Sequence, residues 1–368
     1  MFVFLKDLWL KLKDAKLYKK VLVCFSMLIW LALILVCLIQ VSYTVVTPGL
    51  AHNASSRLEI TTDEFKENEK GQIYTLAVYS DNKVSVLRYL LSKMNPKYEV
   101  TKYDSKTDQS DFEEGIAGTI MMDLSTTKAI ICAYTEASKV NPEIKISYSF
   151  KGMIVEQISH TRGDSQLVQG DIITHVKGVE VTSEKHFWQL FNRNNIENNR
   201  LLITVKRGDT IKDLNLYLQS SDDGGYYVGF YSEAYYVIDE ENTYPKYDIK
   251  STNTIGPSGG LLQSLSIYNL LFSDDITKGK VVVGTGTIEL KYDEENNLYF
   301  TGGKIGAIKQ KIITAYECSS INNIDVFFVD EGDYEEALAA YNEYAHNAFD
   351  LVKVTNFSDI INYFKEVE

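Results

Sequence analysis

Ser258 and Lys311 have the residue types and surroundings that nucleophilic chemistry needs. Ser258 stands in the run Thr254-Ile255-Gly256-Pro257-Ser258-Gly259-Gly260. Gly256 and Pro257 set a tight turn, and Gly259 and Gly260 leave main-chain N–H groups open to approach. Leu261, Leu262, Leu265, Ile267 and Leu271 follow at helical spacing. A helix N-terminus carries unpaired N–H groups and the positive end of the dipole, which can hold a developing oxyanion. On this run alone, helix capping by Ser258 is the simpler reading.

The lysine changes that reading. Gly303 to Ile312 reads Gly-Lys-Ile-Gly-Ala-Ile-Lys-Gln-Lys-Ile. At about 100° per residue, Ile308, Ile312 and Ala315 share one helix face, with Lys311 about 60° from Ile308 and about 40° from Ala315. Lys309 and Gln310 project away, so Lys311 is the lysine aimed inward. An ammonium forced among apolar groups loses its proton more readily and can act as a general base. Bringing it from about 10.4 to neutrality costs about 4 kcal/mol of fold stability. The alternative is a lysine whose stem lies on the apolar face and whose head stays in water. Thr285, in Gly284-Thr285-Gly286-Thr287, ends a strand between the two helices, and its hydroxyl is suited to orient the amine. Thr287 is the second candidate.

These elements sit in an acidic chain of 368 residues with net charge −13. The first twenty residues hold six lysines against Asp7 and Asp14, a local +4 that leaves −17 for the rest. Such a body argues against nucleic acid as a partner. Val21 to Ile39 has Ser26 as its only polar residue, long enough to cross a bilayer. No small-x-small cleavage site follows, so a retained anchor is expected over a cleaved signal peptide. Its lysine-rich flank predicts a cytoplasmic N-terminus, with the catalytic body outside the plasma membrane. Residues 2–17 are either a basic amphipathic helix on the inner leaflet or a solvated tail. The four cysteines form no disulfide framework, and the five histidines have no metal-ligand spacing. No Walker-type phosphate loop occurs. No cofactor or metal is expected.

The expected fold class is α+β and multidomain. Residues 1–20 are the cytoplasmic tail and 21–43 the transmembrane helix. Residues 44–149 form an extracellular region, with an exit linker at 44–56, expected to pack on the last domain. Within it, Ile73–Tyr79 reads as a strand, 105–115 as a polar loop, and Val84–Met94 and Thr127–Lys139 as helices. Residues 150–220 are β-rich. Residues 221–368 alternate strands and helices.

Within 150–219, the strand led by Gly152-Met153-Ile154-Val155, the turn Gly170-Asp171 before Ile172-Ile173, and the hairpin closed by Gly208-Asp209 resemble a PDZ domain of the bacterial protease-associated type. That resemblance implies peptide capture by strand addition, with Gly152, Met153, Ile154 and Val155 as the binding edge; a packing or gating module is the alternative. Further on, Gly-Pro-Ser-Gly-Gly, then Val283-Gly-Thr-Gly-Thr-Ile288, then the Lys311 helix are similar in order to a Lon-type proteolytic domain. With the anchor and the PDZ-like segment, the chain resembles the membrane-anchored, PDZ-containing, Lon-like serine proteases of Gram-positive bacteria. The resemblance implies an ATP-independent Ser-Lys endopeptidase. Ser258 would be the nucleophile, Lys311 the base and Thr285 its support, with N–H groups near Ser258 and Gly259, on the turn set by Gly256, holding the oxyanion. It implies an extracellular peptide or protein substrate, and ring assembly is common among such domains. The sequence departs from the family at Ile255 (usually Gly or Asp), Gly259 (usually Ala) and Ala307 (usually Gly). Trypsin-like PDZ proteases put the PDZ after the serine and need an upstream His and Asp; tail-specific proteases have a different serine motif. A catalytically silent, membrane-anchored peptide-binding scaffold is the alternative of another class.

Overall fold

The apolar run from Val21, preceded by Lys19 and Lys20, folds into helix α1, Leu17–Leu38. Its 22 residues span about 33 Å at the α-helical rise, and none of them is buried. With a mean hydropathy of 3.0 it is long and apolar enough to cross a membrane, as a signal sequence also is. The computed structural model describes residues 16–62, 71–161, 166–191, 196–221, 225–251, 254–295, 297–318, 321 and 323–366. Most of the expected amphipathic tail, residues 2–15, lies outside the described residues.

After α1 come β1 (Tyr43–Asn53), β2 (Leu58–Ile60), β3 (Ile73–Asp81), α2 (Val86–Lys93) and β4 (Glu99–Lys102). The expected exit linker at 44–56 is therefore a strand followed by a short 3-10 turn, Ala54–Arg57. The β-branched Thr44, Val45 and Val46 favour extended backbone, and Val45 is fully buried. Asn53 caps that turn by accepting from the N–H and hydroxyl of Ser55. The chain forms two compact units. In the smaller one, residues 1–46 and 80–103, Tyr43–Val46 pairs antiparallel with β4, and Ser85 caps α2.

The larger unit holds residues 47–79 and 104–368. It begins its helical content with α3, Asp111–Ser138. The sequence reading placed a loop to Gly115 and a helix only from Thr127. The helix starts earlier because Ser110 and Glu113 close a capping box. Most of its apolar stretch is buried, so α3 is a core helix despite its length. Then follow β5 (Tyr148–Ile158), β6 (Ile172–Val176), β7 (Val179–Glu180), α4 (Glu184–Leu190), β8 (Arg200–Arg207) and β9 (Thr210–Tyr217). After the short pair β10 (Gln219–Ser220) and β11 (Tyr226–Tyr227) comes β12 (Phe230–Ile238). These strands make an antiparallel sheet in the order β12-β5-β6-β8-β9 over a core of Met153, Ile173, Phe187, Leu201 and Val205.

The remaining elements are β13 (Tyr247–Ile249), α5 (Gly260–Leu270), β14 (Val282–Thr285), β15 (Thr287–Tyr292), β16 (Leu298–Gly303), α6 (Ile308–Glu317), β17 (Val326–Asp330), α7 (Tyr334–Ala340), β18 (Asp350–Val354) and α8 (Phe357–Glu366). Strands β3, β14, β17 and β18 run parallel, and β1 lies beside β3. Side chains alternate across this sheet. Val282, Val326 and Phe328 pack with α3, α5 and α8, while Val283, Phe327 and Val329 pack with α6 and α7. The result is a mixed α/β protein with eight α-helices among the described residues. Strands from 47–79 and from 282–354 share one sheet.

Glycines on the two central helices respond differently to a methyl group. A Cβ on Gly260 would lie 2.5 Å from Ser125 Oγ and 3.0 Å from a methyl of Ile288, whereas one on Gly115 would meet nothing within 4 Å. Gly260→Ala is expected to lower the unfolding free energy by about 1 to 3 kcal/mol through overpacking. Gly115→Ala is expected to raise it by about 0.5 to 1 kcal/mol through helix propensity. Urea unfolding of the full chain in detergent, followed by near-UV circular dichroism, checks both.

Candidate Ser-Lys site and sheet edge

Helix α5 lies on one face of the parallel sheet and α6 on the other, and both reach the carboxyl end of β14. Open α/β sheets bind ligands at the carboxyl ends of their strands. Thr285 is the last residue of β14. Its hydroxyl accepts a hydrogen bond from Lys311 Nζ at 3.0 Å and donates to the Ser258 carbonyl at 3.1 Å. Gly286 N–H reaches the same carbonyl at 2.9 Å, and Leu261 N–H returns to the Gly286 carbonyl at 3.1 Å. The structure thus joins Lys311, Thr285 and the Ser258 main chain in one chain of bonds. The half-buried Ser258 hydroxyl itself makes no hydrogen bond to a described residue. Thr287 takes no part; its hydroxyl instead stands where a side chain on Gly303 would be.

The turn before α5 needs its glycines for separate reasons. Gly256 sits at φ +95°, a conformation open to glycine. Its N–H donates to the Gly118 carbonyl of α3 at 2.8 Å, and Ser125 of the same helix donates to the Pro257 carbonyl at 3.1 Å. Gly259 caps α5 without a side chain. A Cβ there would meet the Thr75 methyl at 3.0 Å, so the turn packs tightly at this position. The N–H groups of Ser258 and Gly259 make no hydrogen bond to a described residue, as an oxyanion site requires. Ile255 is 53% exposed, and its side chain lies over Gly118, where a Cβ would come within 2.8 Å of it. Ala307 adopts the left-handed conformation at the head of α6, a conformation that glycine takes more readily than alanine.

Lys311 is 3% exposed, and burial lowers its pKa to about 7 against the opposing pull of Asp333. The inward projection of Lys311 thus matches the structure, but the outward one of Gln310 does not. Gln310 is fully buried because α6 is covered on more than its Ile308–Ile312 face. Asp333, which the sequence reading did not single out, is 6% exposed and accepts from Ile305 N–H at 2.8 Å, just ahead of α6.

Gly152, Met153, Ile154 and Val155 do not form a free edge. β5 is paired on both sides, with β12 opposite Gly152–Val155 and with β6 through Met153 and Ile154. Gly152 sits at φ +133°, and a Cβ there would lie 2.4 Å from the Ile173 carbonyl oxygen, so the glycine serves strand pairing. The edges of this sheet are β12 and β9. The run Gly225-Tyr-Tyr-Val-Gly-Phe230 leads into β12, outside the expected 150–220 boundary. A second missed residue is Lys128 of α3. It is buried, and its Nζ bonds Glu233 of β12 and Glu289 of β15, each at 2.6 Å. Burial opposes its charge, but Glu289 and Glu233 more than offset this and hold its pKa above the ordinary value. Burial, with help from Glu233, pushes Glu156 beside them up to about 7. Cys132 and Cys318 form no disulfide with a described residue. No cluster of metal-ligating side chains occurs among the described residues.

No family model matches this sequence, and no curated protein matches it. Among solved structures it is similar to the PDZ domain of an SdrC-like protein from Listeria monocytogenes. Identity is 20% over 24% of this chain and 93% of that one, with a TM-score of 0.20.

Lysine burial has a testable sign. The folded-state pKa of about 7 lies below the ordinary 10.5. Between those values the unfolded chain holds a proton that the folded chain does not, so stability rises with pH. The penalty is full below pH 7 and gone above 10.5. Lys311→Met is therefore expected to stabilise the protein by roughly 5 kcal/mol below pH 7, with the gain vanishing by about pH 10.5. Urea unfolding across that range checks it.

Proposed function

We propose that this chain is an ATP-independent serine endopeptidase using a Ser258–Lys311 dyad, anchored in the membrane by α1 with its larger unit outside the cell. One observation carries the reading. A lysine 3% exposed, with a pKa of about 7, is held by a threonine hydroxyl that also bonds the main chain of the candidate nucleophile. Neutral Lys311 takes the proton from Ser258 Oγ as that oxygen attacks a peptide carbonyl. The C–N bond breaks, the leaving amine takes the proton from Lys311, and water hydrolyses the resulting ester. The N–H groups of Ser258 and Gly259, at the positive end of α5, hold the oxyanion. Thr285 keeps the amine in place. The edge strand β12, rather than β5, is the place for an added peptide strand.

A silent peptide-binding scaffold is favoured by the absence of a Ser258–Lys311 hydrogen bond. A catalytic hydrogen bond often tightens only when substrate is bound, so activity decides. The full chain in detergent should cleave unfolded casein without ATP, and Ser258→Ala and Lys311→Ala should each reduce the rate by at least about a thousandfold. Wild type that neither cleaves casein nor reacts with a phosphonofluoridate at Ser258 would leave the scaffold.

The activity should rise with pH through about 7 as Lys311 loses its proton. Asp333 favours the charged lysine, so Asp333→Asn should move that rise to lower pH. An unmoved pH profile of kcat would show that Lys311 is not the base.

A further inference from the structure

In the smaller unit, helix α2 is built inside out. At about 100° per residue, Leu87, Leu90, Leu91 and Met94 fall within about 100° of its circumference, the stripe that a helix of a water-soluble domain turns to its core. Here the stripe faces outward. Leu90 and Leu91 are exposed and Met94 is 80% exposed, while the buried residue of the helix is Ser92, about 150° from the middle of the stripe. Arg88 and Lys93 stand about 110° to either side of that middle, Arg88 paired with Asp81 and Lys93 over the ring of Tyr89. The chain delivers this helix to the end of α1. Val41 N–H donates to the Val84 carbonyl at 2.9 Å, Gln40 pairs antiparallel with Ser85, and Val86 N–H donates to the Ile39 carbonyl at 2.9 Å. Residues 39–41 lead away from α1, so residues 84–86 lead back toward it, and α2 starts level with Ile39 and lies beside α1. Leu38 and Ile39 are exposed there too. Tyr43 and Tyr89 pair their rings at 4.4 Å close to the same exit, and such rings are enriched where membrane meets water.

We infer that α2 lies in the surface of the bilayer that α1 spans, with Leu90, Leu91 and Met94 among the acyl chains and Arg88 and Lys93 at the level of the lipid phosphates. The inference rests on the membrane-anchor part of the proposed function and adds a second contact to the same leaflet. Lipid is the occupant because the outward stripe begins where the membrane-spanning helix ends and the chain doubles back to put it there. A helix seated in this way needs an apolar face, a polar back and basic residues at the flanks, and α2 has all three. Long basic side chains reach from the flanks to the headgroups. A single spanning helix leaves its tilt and rotation to its surroundings, whereas a second contact beside its end restrains both.

The test uses the full chain in vesicles of equal parts phosphatidylglycerol and phosphatidylcholine, with photoreactive benzoylphenylalanine replacing one residue at a time. Leu91→benzoylphenylalanine and Met94→benzoylphenylalanine report on the stripe, and Leu28→benzoylphenylalanine reports on the middle of α1. Glu99→benzoylphenylalanine is the water control, since Glu99 pairs with Val46, the end of the β1–β4 ladder farther along the chain from α1. All four side chains are exposed, so each replacement leaves the packing of the smaller unit intact. After illumination, the mass of the chain shows what each position has captured. Phospholipid adducts at Leu91 and Met94 should exceed those at Glu99 severalfold and approach those at Leu28. Adducts at Leu28 with none above the Glu99 level at Leu91 and Met94 overturn the inference and leave the anchor standing. Crosslinks between two copies of the chain at Leu91 and Met94, in place of lipid, also overturn it. If Leu28 captures no lipid, the anchor reading falls; adducts at Leu91 and Met94 then keep α2 as a membrane contact in its own right, and their absence removes both.

Discussion

A lysine ammonium removed from water at the end of β14 is the constraint on which the site depends. Burial there makes the charged form unfavourable, and the fold answers with one hydroxyl and one distant carboxylate rather than with an ion pair. Thr285 receives the amine and turns its own proton to Ser258. Asp333 opposes the burial effect and favours the charged amine. A closer carboxylate would return Lys311 to the charged state and cancel the effect. The α/β/α layering is what makes this arrangement reachable, because helices on opposite faces meet only beyond a strand end.

Much of this was legible beforehand, and the reasons are local. Helical spacing after Gly260 and the projection of Lys311 depend on one helix each, and Thr285 lies in a short strand between them. What escaped notice involves partners far apart in sequence. Gln310 is buried on a side of α6 that meets β1, where Thr314, one turn on, accepts from Gly49 N–H, and its own periodicity does not reveal that distant partner. Gly152 appeared to lead a binding edge, but the pairing partner that occupies this strand lies some eighty residues later in β12. The linker reading of 44–56 failed because its prolyl-glycyl pair drew attention from the β-branched run before it. The start of α3 is different: Ser110 and Glu113 form a recognisable capping signal that the polar composition obscured.

Helix α3 has a larger part than its lack of evident chemistry suggested. Gly118 and Ser125 hold the main chain around Ser258, and Lys128, less than a turn beyond Ser125, ties β12 and β15 together. Buried pairs of this kind contribute specificity of arrangement more than stability, since desolvation offsets most of the attraction. The same helix therefore touches the candidate nucleophile turn and the free sheet edge, and any strand added at β12 lies close to a charge it must respect.

The contact between Ile255 and Gly118 also ties together two positions far apart in the sequence. A Cβ on residue 118 would come within 2.8 Å of the Ile255 side chain. Ile255 is 53% exposed and has room to turn toward solvent, but the main chain it leads into is held to the helix through Gly256 N–H on the Gly118 carbonyl. A substitution in a helix with no chemistry of its own is thereby felt at the turn that carries Ser258.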